Sequence, residues 1–195
     1  MKKSVVFILI AIVVILVIWG VSAYNSMVGR QENVNTAWSQ VENQYQRRAD
    51  LIPNLVNTVR GYAAHEQSTL EAVVQARSQA TQITIDPQNL TPEALQQYQQ
   101  VQGNLSSALG RLLAVAESYP DLKANQNFLE LQAQLEGTEN RIAVERRRFN
   151  EAAQDYNSYI RRFPRNLFAG MFGFDRRPYF EAVPGAEQAP VVNFE

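Results

Sequence analysis

The sequence contains no cysteine and a single histidine, His65. Without cysteine, disulfide bonds, thiolate zinc sites and cysteine nucleophiles are excluded. The lone histidine leaves no His-x-x-x-His or Glu-x-x-His pair with which a helix would bind a metal. Glycine-rich phosphate loops, Gly-x-Ser-x-Gly elbows and dinucleotide fingerprints are also missing. We therefore predict a protein that is not an enzyme, with no catalytic, cofactor or metal site.

Two weak alternatives to that prediction exist. Glu66 and Glu145 would serve as a carboxylate pair if the fold brought them together, and His65 with Glu66 would offer metal ligands. Adjacent residues on a helix diverge by about 100 degrees, so the second pair is poorly placed to bind one ion. Neither pattern is specific.

A strong charge of one sign is also lacking, because the formal net charge is -1. Nothing therefore attracts the chain as a whole to nucleic acid, and no nucleic-acid fold signature is present. Arginine is nonetheless concentrated between residues 141 and 177, in "ERRRF" and "IRRFPR". A solvated outer face explains this enrichment, and so does a surface facing anionic lipid or an acidic partner.

The first long feature that is present is an unbroken apolar run from Val5 to Trp19. With its flanking residues it reaches roughly 20 residues, the length of a membrane-spanning helix. Lys2 and Lys3 precede it, so the positive-inside tendency predicts a cytoplasmic N-terminus and an extracytoplasmic remainder. The alternative is a cleaved signal peptide, since Val21-Ser22-Ala23 resembles a cleavage site.

Beyond this run, apolar residues recur at alternating intervals of four and three, which indicates long helices that face one another. The three stripes comprise Val34, Trp38, Val41, Tyr45, Arg48, Ile52, Leu55, Val59, Tyr62 and Glu66; Ala94, Tyr98, Val101, Leu105, Ala108, Leu112, Val115 and Tyr119; and Phe128, Leu131, Leu135, Thr138, Ile142, Glu145, Phe149, Ala152, Tyr156, Tyr159 and Phe163. The sequence therefore predicts an all-α protein.

Turn signals divide the stripes into helices at about Tyr24 to Gln82, Thr91 to Tyr119 and Asn125 to Arg162. Thr91-Pro92-Glu93 supplies an N-cap, a proline in the first turn and an acid beside it, and Pro120 ends the preceding helix. Short connections predict antiparallel packing of sequence neighbours. We expect a transmembrane anchor (1–24), an antiparallel bundle of three, possibly four, long helices (25–162) and an irregular aromatic tail (163–195).

Pro53 lies inside the first predicted helix. Its missing N–H frees the carbonyl of Ala49, so a kink is expected there. Our hypothesis is that the kink separates a membrane-proximal stalk (25–52) from the bundle (53–162), with Arg48, Asp50 and Asp121 tying the junction. The alternative is a true break at Pro53, after which a fourth helix folds back.

Two further sets of residues follow from the stripes and the expected helix lengths. Counting along the axes places a polar core layer, or a site, at Glu66, Arg111, Arg141 and Glu145, because buried charges need partners. The stalk is expected to lack an intramolecular partner for Val34, Trp38, Val41 and Tyr45. That stripe would then mediate homo-oligomerisation or be covered by the aromatic tail. The tail itself would pack on the bundle, add to a neighbour or enter the bilayer.

Several motifs together resemble the LemA family. They are "RRADLIPNLVNTVRGYAAHE", "LGRLLAVAESYPDLKANQNFLELQAQLEGTENRIAVERRRFNEAAQDYN", "FP", "FGF" and the closing "PVVNFE". The resemblance implies a bacterial, single-pass, membrane-anchored helical bundle with no assigned catalytic residues. It favours a non-enzymatic scaffold or adaptor that self-associates at the membrane. The alternative is an accessory or regulatory subunit of a neighbouring membrane enzyme, such as a membrane protease.

Overall fold

A computed structural model describes residues 2–181. Within that range the chain forms helices and no strands, which confirms the predicted all-α fold. The helices are α1 (Lys2–Tyr62), α2 (Gln67–Gln82), α3 (Pro92–Ala116), α4 (Pro120–Lys123), α5 (Gln126–Arg161) and α6 (Arg165–Phe172), with a 3₁₀ turn at Pro87–Asn89 before α3. The closing "PVVNFE" motif lies outside the described residues.

The predicted second and third helices correspond to α3 and α5, and local capping explains where they begin. The Thr91 hydroxyl accepts a hydrogen bond from the Ala94 N–H at 3.1 Å, with Pro92 in the first turn. The Asn125 side chain accepts one from the Phe128 N–H at 3.1 Å. Each cap satisfies a backbone donor that the first turn leaves without a partner.

The first predicted helix is wrong after Tyr62. Instead of continuing to Gln82, α1 ends at Tyr62 and α2 begins at Gln67. The Arg77 side chain of α2 contacts the Ala49 carbonyl of α1, so α2 folds back along α1. Burial resumes on α2 at Leu70 and Val73, because both helices bury their apolar faces in the same core. The possible fourth helix therefore exists, but its turn lies at residues 63–66.

Helix α1 is continuous through Pro53, so the alternative of a true break there is wrong. The carbonyl of Ala49, which Pro53 leaves without its helical donor, accepts a hydrogen bond from Arg77 Nε at 2.7 Å. A side chain from α2 thus replaces the missing backbone N–H. Proline is tolerated inside a helix when another donor satisfies the freed carbonyl.

The predicted junction around Pro53 does not form. Arg48 is buried, while Asp50 accepts a hydrogen bond from Gln46 on its own helix. Asp121 is exposed in α4, close in sequence to the contacts between Asn125 and Tyr62 and between Tyr119 and Glu66. The Pro120 turn therefore lies beside the distal end of α1 rather than beside Pro53, because α1 reverses earlier than expected.

Helix α5 runs antiparallel to α1 along most of its length. Asn125 donates to the Tyr62 hydroxyl, Arg48 pairs with Glu139, and Arg30 pairs with Asp155. Each step towards the N-terminus of α1 is matched by a step towards the C-terminus of α5. The part of α1 that follows the apolar segment consequently has a partner within the chain, and the predicted bare stalk (25–52) is wrong.

The core consists of two apolar clusters stacked along the bundle. The distal cluster lies at the end of the bundle far from the N-terminus of α1. It contains residues of α1 from Ile52 onwards and residues of α2, α3, α4 and α5. The proximal cluster, centred on Trp38, Phe149 and Tyr156, is rich in aromatic side chains and includes Phe180. Between Tyr45 of the proximal cluster and Ile52 of the distal one, α1 carries Arg48.

Candidate functional sites

A buried polar layer separates the two apolar clusters. The Arg48 side chain is 1% exposed and donates to Glu139 at 2.7 Å, Ser106 Oγ at 2.7 Å and Gln102 Oε1 at 2.6 Å. It also donates to the Gln102 carbonyl at 3.2 Å. A buried guanidinium without such partners would destabilise the fold strongly. The layer therefore holds α1, α3 and α5 in one register.

The polar layer that we predicted is wrong in its members. Arg111 and Arg141 are exposed, Glu66 accepts a hydrogen bond from the Tyr119 hydroxyl at 3.2 Å, and Glu145 pairs with Arg148 one turn along α5. The predicted levels of these residues along the bundle were wrong because they assumed a first helix that continues to Gln82, whereas α1 ends at Tyr62. The arginine in the first heptad stripe, Arg48, was the informative signal.

The predicted self-association stripe is also wrong, because its residues lie inside the monomer. Val34, Trp38, Val41 and Tyr45 are between 0% and 6% exposed. The Trp38 ring lies 5.7 Å from Phe149, 5.9 Å from Phe180 and 5.3 Å from Tyr98, measured between centroids. The covering side chains come from α3, α5 and the C-terminal segment, as the alternative involving the aromatic tail expected.

The C-terminal segment, residues 174–181, is attached to α5 by two asparagine side chains. Asn157 accepts from the Arg177 N–H at 2.9 Å and donates to the Arg177 carbonyl at 2.8 Å. Asn150 makes the same pair of bonds to Phe180, at 2.8 and 2.9 Å. Seven helical residues rise about 10.5 Å, and three extended residues span about 10 Å, so the spacings match.

The sequence analysis did not predict a role for these two asparagines. They lie seven residues apart, and each directly follows a residue of the third stripe, Phe149 or Tyr156. Several arginines of the basic region serve the same attachment. Arg177 donates to the Gln88 carbonyl at 2.8 Å, and Arg146 donates to the Glu181 carbonyl and stacks over the Phe180 ring. Part of the arginine enrichment is therefore structural.

A small polar cleft opens between α1 and the connection from α2 to α3. Its volume is about 160 Å³, and its walls include Glu42, Tyr45, Tyr98 and Gln102. Burial raises the pKa of the Glu42 carboxyl and of the Tyr45 and Tyr98 hydroxyls. Within residues 2–181, no group of three His, Asp or Glu side chains is arranged to hold a metal ion.

At the opposite end from α4, α1 contains a segment long and apolar enough to cross a membrane. The side chains of residues 5–18 are exposed, and burial on α1 begins at Ala23. On either side of Ala23 along the sequence, α6 contacts α1: Phe168 packs edge-on against Trp19, and Phe172 packs against Tyr24. The protein surface therefore changes at this level from apolar to largely polar.

Comparison with known proteins identifies the family of this chain. A family model described as the LemA family matches residues 37–194. The chain belongs to the LemA family. This match confirms the resemblance carried by the sequence motifs. Because the match begins at residue 37, the apolar segment of α1 lies outside it.

Among relatives of this LemA-family protein, "Magnetosome protein MamQ 2" of Paramagnetospirillum magneticum is 29% identical over 188 residues, covering 87% of this chain and 68% of the relative. "Magnetosome protein MamQ" of Magnetospirillum gryphiswaldense is 28% identical over 186 residues, covering 87% of this chain and 68% of that protein. "Protein LemA" of Metamycoplasma hominis is 28% identical over 145 residues, covering 74% of this chain and 63% of the relative.

Proposed function

We propose that this LemA-family protein is a non-enzymatic scaffold that is anchored in a membrane and carries a rigid helical bundle at a fixed distance from it. The observation that carries the proposal is the continuity of α1, whose 61 residues run from the apolar segment into the bundle without interruption. A helix of that length measures about 90 Å. A flexible linker between anchor and bundle would not transmit position or orientation in this way.

The internal use of polar groups supports a structural role. The side chains of Arg48, Asn150 and Asn157 form hydrogen bonds with other parts of the same chain. The bundle accordingly stabilises its own shape and presents its outer helix faces to other molecules. Relatives named magnetosome proteins are compatible with an assembly role, and they supply no partner for this chain.

Self-association remains part of the proposal, although the predicted stripe is not available for it. The test is the mass of the full chain in lipid nanodiscs or detergent, measured by mass photometry. A homomeric particle larger than one chain supports a self-associating scaffold. A strictly monomeric particle at all protein concentrations overturns self-association, and recovery of the protein from the soluble fraction after cell breakage overturns membrane anchoring.

A second candidate is an accessory subunit for another membrane protein. It is favoured by a polar groove between the distal parts of α1 and α5, of about 390 Å³, which is lined by Asn54, Asn57, Thr58, Asn127, Glu130, Leu131 and Gln134. Amide side chains of this kind are suited to bind a partner's backbone.

Affinity purification from native membranes distinguishes the two candidates. A stoichiometric heterologous partner that is lost in Asn57→Lys supports the accessory subunit. The matched control is Asn140→Lys, an exposed asparagine of α5 that does not line the groove. Purification of homomeric particles alone, unchanged by either substitution, supports the scaffold.

A further inference from the structure

Helix α6 has an exposed apolar face that the bundle leaves uncovered. Leu167 is 60% exposed and Met171, one turn later, is 75% exposed, and Phe163 just before the helix is 81% exposed. Ala169, on the opposite side of α6, is buried. The helix is therefore apolar on two sides, with one side packed on the protein and the other directed away from it.

The contacts of α6 place it beside the end of the apolar segment. The Phe168 ring lies 5.4 Å from Trp19, and a Cβ on Gly20 would meet that ring at 3.5 Å. The Phe172 ring lies 5.2 Å from Tyr24. Tryptophan and tyrosine are the residues that most often mark the boundary between hydrocarbon and headgroups. Helix α6 thus lies at the level where α1 would leave the membrane.

An apolar groove connects the two helices. It has a volume of about 520 Å³, and its walls are Val13, Leu16, Val17, Gly20, Val21, Tyr24, Phe168 and Phe172. On α1 this groove continues directly into the exposed apolar side chains towards the N-terminus. Leu167 and Met171 directly precede Phe168 and Phe172 in the sequence, so the uncovered face of α6 borders this groove.

We propose that α6 is a second membrane contact, an interfacial helix whose Leu167 and Met171 side chains enter the lipid bilayer beside α1. The inference rests on the proposed membrane anchoring. Lipid is the occupant that the surface fits, because the same material that surrounds α1 would cover the adjoining face of α6. Short amphipathic helices bind membranes in this way, with apolar side chains at the headgroup boundary.

The charges around α6 support lipid as the occupant. Arg161 and Arg162 are exposed at the end of α5, immediately before α6. Arginine near a membrane surface is attracted to anionic headgroups. Arg165 lies over the Tyr159 ring, 4.1 Å from its centroid, and this contact fixes the beginning of α6 against α5. The apolar face and the cationic flank are thus held in a fixed arrangement.

The absence of cysteine from the sequence makes a direct test simple. The full chain carrying Leu167→Cys or Met171→Cys is labelled with an environment-sensitive fluorophore and reconstituted in phosphatidylcholine vesicles containing some phosphatidylglycerol. Lipids brominated along the acyl chain then quench fluorophores in contact with hydrocarbon. Both substituted side chains are exposed, so the substitutions leave the packing of α6 unchanged.

Two control positions separate this inference from membrane anchoring itself. Ile12→Cys lies in the apolar segment of α1, and Asn140→Cys is exposed on α5, about 30 Å along the helix axis before its end at Arg161. We expect a blue shift and strong quenching at Ile12, Leu167 and Met171, with quenching of the two α6 positions strongest for bromines nearest the headgroups. Asn140 should show neither change.

Quenching at Ile12 without quenching at Leu167 and Met171 overturns the inference and leaves the anchor intact. Absence of quenching at Ile12 overturns both proposals. A blue shift at Leu167 that depends on the protein-to-lipid ratio and not on bromine shows that a second copy of the chain covers α6, and this result also overturns the assignment to lipid.

Discussion

Pro53 removes one backbone donor from α1, and Arg77 supplies another. The guanidinium Nε bonds to a buried carbonyl, that of Ala49, at 2.7 Å. A buried carbonyl that loses its only donor destabilises a fold by about 1 to 3 kcal/mol. One side chain on α2 thus allows a proline in the interior of a 61-residue helix.

We predict that Arg77→Met lowers the free energy of unfolding by about 1 to 3 kcal/mol, because the Ala49 carbonyl loses its donor. In the Pro53→Ala background the same change should cost less, since the backbone N–H regained at position 53 restores the helical bond. Urea unfolding of the four proteins in detergent, followed by circular dichroism, measures the coupling. An equal cost of Arg77→Met in both backgrounds would show that Arg77 acts only through packing.

The Glu42 carboxyl gives the fold a pH dependence. Burial raises its pKa above the ordinary value of 4.5. A carboxyl whose pKa is raised in the folded state contributes stability that is complete below pH 4.5 and is lost as the pH rises through the folded-state pKa. Tyr45 and Tyr98 line the same cleft and are neutral throughout this range.

We predict that Glu42→Gln flattens the decline of stability above pH 4.5 and makes the protein more stable than wild type near neutrality. The neutral amide avoids burying a negative charge. Urea midpoints measured from about pH 4 to 8 test this, because ordinary carboxyl groups titrate at the acid end of that range. The exposed Glu32→Gln on the same helix is the control, and a slope unchanged by Glu42→Gln would contradict the prediction.

At the scale of elements, the C-terminal segment acts as an additional strand-like layer on α5 without forming a sheet. The amide groups of Asn150 and Asn157 replace the backbone groups that a neighbouring strand would offer. Their bonds leave the Arg177 and Phe180 backbones satisfied and bring the Phe180 ring against Trp38. The segment thereby closes the proximal aromatic cluster.

We predict that Asn157→Leu accelerates hydrogen exchange at the Arg177 amide and that Asn150→Leu does so at Phe180, because each amide loses its acceptor. Loss of such a bond corresponds to about 1 to 3 kcal/mol. Hydrogen exchange of the full chain, read by mass spectrometry with fragmentation, locates the effect. Asn140→Leu, at an exposed position of α5, should leave both amides unchanged, and equal exchange in all variants would exclude the proposed attachment.

For the whole molecule, the direction of insertion decides which compartment the bundle faces. Lys2 and Lys3 precede the apolar segment, so the positive-inside tendency favours an extracytoplasmic bundle. The distal turn near Ser118 would then lie far from the membrane on the outer side. A bundle in that position would be accessible to extracytoplasmic partners.

We predict that Ser118→Cys reacts with a membrane-impermeant maleimide in intact bacterial cells, whereas Ser4→Cys reacts only after permeabilisation. Both substitutions are made in a chain that has no other cysteine. The reverse labelling pattern would place the bundle in the cytoplasm. Labelling of Ser118→Cys in the soluble fraction would instead indicate that the apolar segment is removed as a signal peptide.

Local sequence patterns were sufficient to predict the all-α class, the apolar segment, the cap at Thr91 and the family. These features depend on local chemistry: the length of an apolar run, the heptad spacing and the side chains that cap a helix. The carbonyl freed by Pro53 was also predictable, since proline always lacks the same donor. Its acceptance of a bond from Arg77 was not.

Tertiary contacts fix three features that local patterns did not predict: the turn between Tyr62 and Gln67, the partners of Arg48 and the side chains that cover Trp38. A heptad stripe shows which side chains need to be buried, but it does not say which segment buries them. The apolar spacing that ends the first stripe at Glu66 resumes on α2 at Leu70 and Val73, so the spacing did not reveal the turn between the two helices. The segment that covers the proximal cluster was settled by long-range hydrogen bonds from Asn150 and Asn157, which no local pattern encodes.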